Sequence, residues 1–135
     1  MRILGFTLIE LLLALGIVGI IAYMAVPSYS HYTVAAKRTL ALVHLMRGIN
    51  QLDDFYTKNH SYAGATLQDL GLPNAAIANS YVFRLSATTN NNFCLAAIPQ
   101  GHQAAADLAC GTLMIDAQGQ RHITGNANVA QCWQF

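Results

Sequence analysis

Charge is what this sequence has least of. Seven basic and six acidic residues among 135 leave a formal net charge of +1, and without Arg2 the balance is six against six. So even a chain offers no one-sided surface for nucleic acid or an acidic partner. Five histidines, His31, His44, His60, His102 and His122, are scattered with no metal-ligand spacing and no H-E-x-x-H pattern, so surface or satisfied core positions are their default. Gly101, Gly111, Gly119 and Gly125 stand singly, as turn glycines do, with no phosphate-loop spacing. Asp53 and Asp54 are adjacent, but neighbours on a helix point about 100° apart, so a solvated helix face explains them better than paired acid-base chemistry. No internal repeat or low-complexity tract occurs. These absences exclude a catalytic constellation, a metal site and a cofactor motif as readings of the sequence. Its length suits one domain with an appendage.

What the chain does have is one long apolar run. From Phe6 to Val26 the only charge is Glu10. Twenty-one residues in a helix rise roughly 31 Å, enough to cross a hydrocarbon core of about 30 Å. A secretory signal peptide fits poorly, because the leading MRIL is very short, the apolar run is long and no A-x-A stands near its end. An ordinary single-pass anchor explains Leu11 to Ile21 but gives no reason for Glu10, a lone acid that is costly in lipid, or for Gly5 before Phe6.

Beyond Pro27, the residues Leu42, Leu45, Met46, Ile49, Leu52 and Tyr56 repeat at the spacing of one helical face, while Arg47, Gln51, Asp54 and Lys58 lie off it. The helix is therefore expected to resume after Pro27, which becomes a kink, and to run to about Lys58, apolar all round in its first half and amphipathic in its second. Gly16 and Gly19 would loosen the first half or let helices pack closely.

Residues 59–80 read as a connector, with Thr66 capping a short TLQDL turn of helix that Gly71 and Pro73 stop. Alternation then takes over. Tyr81, Phe83 and Leu85 share one face, Phe93, Leu95 and Ala97 another strand's, and Leu113 and Ile115 a third's. QRHIT, 120–124, completes a hairpin across Ala117 to Gly119, and Asn90 to Asn92 supply another turn. The expected fold is α+β: a long, kinked N-terminal helix packed against an antiparallel sheet of three or four strands.

The stretch GFTLIELLLALGIVGIIAYMAVPSY resembles the N-terminus of a type IV prepilin, the precursor subunit of type IV pili and of related type II secretion pseudopili. A short leader ends in Gly5, aromatic Phe6 follows, Thr7, Leu8 and Ile9 precede Glu10, and Pro27 closes the apolar run. The resemblance implies that a prepilin peptidase in the inner membrane cuts after Gly5 and methylates the amine of Phe6. The apolar helix then serves first as anchor and later as fibre core. It also supplies a reason for Glu10: among identical helices its carboxylate can meet the terminal amine of Phe6 in a neighbouring subunit. Such a pair sets register even where it adds little stability. The competing reading, an acid snorkelling to the headgroups from the first turn, is the weaker in the context of Gly5 and Phe6.

The order of elements is also similar to the type IV pilin fold, and the run from Cys110 to Trp133 looks like the C-terminus of many type IVa minor pilins. There, a cysteine before one strand pairs with a cysteine next to a tryptophan, which implies Cys110 with Cys132. Three cysteines allow three single bridges in an exported chain. A hairpin joining 93–98 to 110–116 would hold Cys94 and Cys110 at opposite ends, beyond the roughly 7 Å reach of a bridge. Cys94 then reads as a buried, apolar-like thiol. The acidic calcium loop of pseudopilins is missing.

The implied organisation is a leader, 1–5; a transmembrane and fibre-core helix half, 6–30; and a periplasmic, later fibre-surface domain, 31–135. That domain comprises the amphipathic helix half 31–58, connector 59–80, sheet 81–124 and disulfide-closed tail 125–135. Partners implied are other pilin subunits, the prepilin peptidase, the inner-membrane assembly machinery and, before assembly, the membrane itself. The expected role is a structural subunit, a minor pilin in preference to a major pilin or a pseudopilin. Uptake of exogenous DNA through Lys58, Arg84 and Arg121 is the alternative. It is not favoured, since Gly125 to Phe135 holds no cation.

Overall fold

An uninterrupted helix, α1, spans Leu8–Asn59. In the computed structural model it is followed by β1 (Tyr81–Ser86), β2 (Cys94–Pro99), α2 (Gly101–Ala106), β3 (Leu113–Asp116), β4 (Arg121–Ile123) and α3 (Val129–Cys132). The structure describes residues 6–73, with backbone only at 26–28, and 76–77, 79–86 and 89–134. Helix α1 continues through Pro27, whose missing N–H withdraws one hydrogen bond from the ladder.

The chain divides into two compact units, Met1–Thr33 and Val34–Phe135. In the first, every side chain from Phe6 to Ala25 is exposed. Its helix is held by its own hydrogen bonds, with the Thr33 hydroxyl donating to the Ser30 carbonyl at 2.8 Å.

The second unit has a core. Leu42, Leu45 and Leu52 of α1 are fully buried, with Met46 and Ile49 packed beside them, and these are the positions that the 3.6-residue period marks out. Gly48 lies on the same face. A Cβ there would come within 2.8 Å of Leu95 Cδ2 and 3.0 Å of Leu72 Cδ1, so glycine lets the helix settle close on β2 and the connector.

The sheet is an antiparallel meander in the order β1-β2-β3-β4. Leu85 pairs with Leu95, Leu95 with Ile115, and Leu113 with Ile123. The period of two then sends Tyr81, Phe83, Leu95, Ala97, Leu113 and Ile115 into the core. It sends Arg84, Ser86, Cys94, Met114, Asp116 and His122 to the other face. Of the three or four strands expected, the sheet has four.

The connector is tied down locally. The Asp69 carboxylate accepts from the Thr66 N–H at 2.9 Å and from its hydroxyl at 2.6 Å, while the Asp69 N–H donates back to Thr66 Oγ1 at 3.3 Å. These bonds hold the Asp69 carboxyl below its ordinary range, the Thr66 side-chain bond most strongly. The expected capped turn forms without becoming a regular helix, and Gly71, at φ +60°, ends it. Leu70 and Leu72 beside it are buried. Tyr62 bridges the connector to the sheet. Its ring lies 4.7 Å from Tyr56 and 4.8 Å from Phe93 between centroids.

Two short helices, α2 and α3, stand where the sequence suggests only loop and tail. At six and four residues they are too short to show a periodic pattern. Local chemistry makes α3: the Asn128 side chain caps it, accepting the Ala130 N–H at 2.9 Å.

Candidate functional sites on the helix and the disulfide-closed tail

The N-terminal site begins with a cap. Thr7 immediately precedes α1, and its hydroxyl oxygen accepts the Glu10 N–H at 3.4 Å while its carbonyl accepts the Leu11 N–H at 3.2 Å. Thr7-Leu8-Ile9-Glu10 has the T-x-x-E form of a capping box, a signal readable in the sequence and overlooked there. Glu10 also places negative charge in the first turn, where the helix dipole favours it. Phe6 is 80% exposed and Glu10 is exposed as well. Gly5, the expected cleavage position, lies outside the described residues.

The helix that follows presents Leu8, Leu12, Leu15, Ile20 and Ile21, from all sides of its circumference, to the surroundings. A helix that is apolar all round has its natural place in lipid or among other apolar helices. By length and composition this one can cross a membrane.

The second site is the C-terminal tail. A disulfide joins Cys110 to Cys132, with Cα atoms 5.6 Å apart and a sequence separation of 22. Closing a loop of that size stabilises the fold by roughly 3 kcal/mol on the chain-entropy account. The tail also pairs with the segment around Cys110: the Thr124, Gly125 and Ala127 N–H groups donate to the carbonyls of Thr112, Cys110 and Ala109. Gly125 is obligatory here, because a Cβ would strike the Ala109 carbonyl. Trp133 is buried next to Cys132, and the Arg121 guanidinium lies 5.4 Å from the centre of its ring. Cys94 is unpaired and half-buried on the outer sheet face, opposite Asp116.

On β3, Asp116 gathers the neighbouring turn. It accepts the Gln118 and Gln120 N–H groups at 3.0 and 2.8 Å and meets His122 Nε2 at 3.0 Å. The bond with His122, ahead of those backbone bonds, lowers its carboxyl below the ordinary range.

The three cations considered for DNA are not brought together. Lys58 sits in the last turn of α1, Arg84 on edge strand β1 and Arg121 on the opposite edge strand β4. Three strand spacings separate the two edges, about 14 Å. Cross-strand partners run Arg84, Ala96, Met114, His122, so Arg121, one residue from His122, belongs to the other face. Among the described residues none of the three has a carboxylate partner.

Among known proteins, a family model described as "Type IV minor pilin ComP, DNA uptake sequence receptor" matches residues 27–114, more than half of the chain. A fimbrial protein of Neisseria meningitidis serogroup B is 35% identical over 60 residues, which is 44% of this chain and 35% of that protein. A type IV major pilin, PilE1, of Neisseria gonorrhoeae is 43% identical over 56 residues, covering 42% of this chain and 33% of the pilin. The matches thus span about a third of the length of these curated relatives. A type IV pilin structure from Shewanella oneidensis superposes with a TM-score of 0.56 at 25% identity, covering 76% of this chain and 99% of that one. An exposed apolar helix, a four-stranded meander and a disulfide-closed tail, together with the match over residues 27–114, show that the chain belongs to the type IV pilin family, whose members are structural subunits and not enzymes.

Proposed function

We propose that this pilin is a minor subunit, inserted into a type IV pilus through the helix that begins at Phe6. The observation that carries this reading is the complete exposure of an apolar helix from Leu8 to Ala25, with one acid as its third residue. Such a surface is stable in lipid before assembly and among other pilin helices afterwards. In this reading a prepilin peptidase cuts after Gly5 and methylates Phe6, in the inner membrane. Glu10 pairs with the Phe6 amine of an adjoining subunit and fixes register, and Pro27 bends the helix. The minor role is supported by the family description. Counting this chain against the other pilins in sheared fibres tests it, with a few copies per fibre expected. A chain as abundant as the principal subunit overturns the minor role. A mature N-terminus other than N-methylated Phe6 overturns the processing.

A second reading, uptake of exogenous DNA, is favoured by one observation: the matched family is described as a DNA uptake sequence receptor. Separated cations argue against a phosphate-tracking patch. On this reading, recognition would rest on few phosphate contacts.

A further inference from the structure

A buried polar cluster gathers around Arg38 within the second unit, apart from the residues assigned above to fibre insertion or DNA uptake. Arg38 of α1 donates from Nη1 to Asp107 Oδ1 at 2.7 Å. The Tyr81 hydroxyl donates to Asp107 Oδ2 at 3.2 Å. Gln103 Nε2 lies 3.1 Å from the Val34 carbonyl oxygen, 3.1 Å from the Tyr81 hydroxyl and 3.3 Å from Asp107 Oδ2. Tyr81, Gln103 and Asp107 are all buried. One carboxylate and one amide therefore hold two successive points of the helix, the Val34 carbonyl and the Arg38 side chain. A carboxylate in such a place is costly unless its cation is held in position.

Asp107 is held from two sides: α2 ends on it, the Gln103 carbonyl accepting the Asp107 N–H at 3.0 Å, and the disulfide-closed tail holds its carbonyl. The Asp107 carbonyl accepts the Cys110 and Gly111 N–H groups at 3.2 and 2.9 Å, forming one tight turn that ends at the bridge. Arg38 Nη1 also lies 3.2 Å from Cys110 Sγ. On its far side the same turn is pinned by Gly125 and Ala127, whose segment Cys132 fastens. The bridge, the turn, the carboxylate and the helix are thus in direct succession.

We propose that the Cys110–Cys132 bond is an oxidation-dependent clasp for α1: closing it sets Asp107 and Gln103 to grip Arg38 and Val34, so that the oxidation state of the tail decides how firmly the 34–38 turn is seated. Closure removes two electrons and two protons from the two thiols. A disulfide-type oxidant accepts them and leaves as a dithiol. A dithiol reductant reverses the step, cleaving the Cys110–Cys132 bond as it is itself oxidised. A pilin that has not yet been oxidised would carry the 34–38 turn of α1 on a loosened seat.

The test is amide hydrogen exchange by mass spectrometry on the full chain in detergent micelles, oxidised and after dithiothreitol, in a Cys94→Ser background. Reduction is expected to speed exchange in residues 34–41 by about ten-fold and in β2 and β3 by under about three-fold, as local opening below the global limit does. In Arg38→Met the same segment exchanges fast already, and reduction adds little. Arg38→Lys falls between, since a point charge replaces the fork. Equal acceleration of helix and sheet, or an unchanged 34–41 segment, overturns the clasp. Additive effects of Arg38→Met and reduction do the same. If Arg38→Met fails to fold, Asp107→Asn takes its place with the same expected pattern. None of these outcomes depends on fibre assembly, so the clasp and the minor-subunit reading fail separately.

Discussion

The Glu10 N–H donates to the hydroxyl of Thr7 across the first turn of α1, at 3.4 Å. Glu10 therefore has a place in the helix cap as well as the proposed place between subunits, and the two separate by substitution. Thr7→Ala removes the cap at a cost of about 1 kcal/mol to helix stability and leaves the carboxylate in place, so fibre entry is expected to persist. Glu10→Val keeps the Thr7 bond and loses the charge. It is expected to leave the protein in the membrane, folded but depleted from purified fibres. Equal depletion by both changes would assign Glu10 to capping alone.

Gly125→Ala places a methyl group against the Ala109 carbonyl, where backbone has to move. The expected loss is about 2 kcal/mol or more, of the size seen for overpacking, measured by thermal or denaturant unfolding. A variant as stable as the parent would mean that the tail can separate from residues 109–112 without cost.

Cys94 and the bridge make an asymmetric pair of predictions. Cys110→Ser is expected to cost roughly 3 kcal/mol, the loop-closure value, whereas Cys94→Ser on the outer sheet face is expected to change stability by less than about 0.5 kcal/mol. Non-reducing peptide maps should show one linked pair and a free Cys94. A bridge that includes Cys94 would contradict the pairing seen here.

Alkali gives a further measurement. Burial first, and then the nearby Asp107 carboxylate against the opposing help of Gln103, pushes the Tyr81 hydroxyl up to about 12. The folded state thus keeps this proton after an unfolded tyrosine has lost it near 10. The associated stability is fully present below pH 10 and is lost as the pH rises from 10 towards 12. Absorbance titration should show a tyrosine ionising late, and that late phase should vanish in Tyr81→Phe. A late phase retained in that variant assigns it elsewhere.

Salt dependence tests the DNA reading. With Lys58, Arg84 and Arg121 apart, the full chain is expected to bind duplex DNA weakly at physiological salt, with a log–log slope of magnitude below about 3. Tight, steeply salt-dependent binding that disappears when the three are replaced would show that the cations act together on DNA.

Most of the fold was legible because its signals are periodic. The stripe from Leu42 to Leu52 and the alternations at Tyr81, Leu95 and Leu113 each recur within one element, and periodic burial writes them into the sequence. The cap at Thr7 was legible too, in T-x-x-E, but was masked by the functional reading of Glu10. Helix α3 depends on one side chain, Asn128, and no repeat announces it. The Arg38 cluster was beyond reach for a different reason. Its ion pair joins residues 69 apart, and nothing local to Arg38 distinguishes it from a solvated cation.

The meander has a consequence for how the chain is made. Every strand pairs only with its sequence neighbour, so the sheet can close as soon as its own residues emerge. Helix α1, in contrast, is synthesised first and finds its cover last: Leu42, Leu45 and Leu52 wait for strands that begin at Tyr81 and for a bridge completed at Cys132. During that interval the nascent subunit carries two bare apolar surfaces. The first is long and apolar enough to cross a membrane. Were the Leu8 to Ala25 segment inserted early, the second would be the aggregation hazard that remains, confined to the short time between the emergence of Asn59 and the arrival of the sheet.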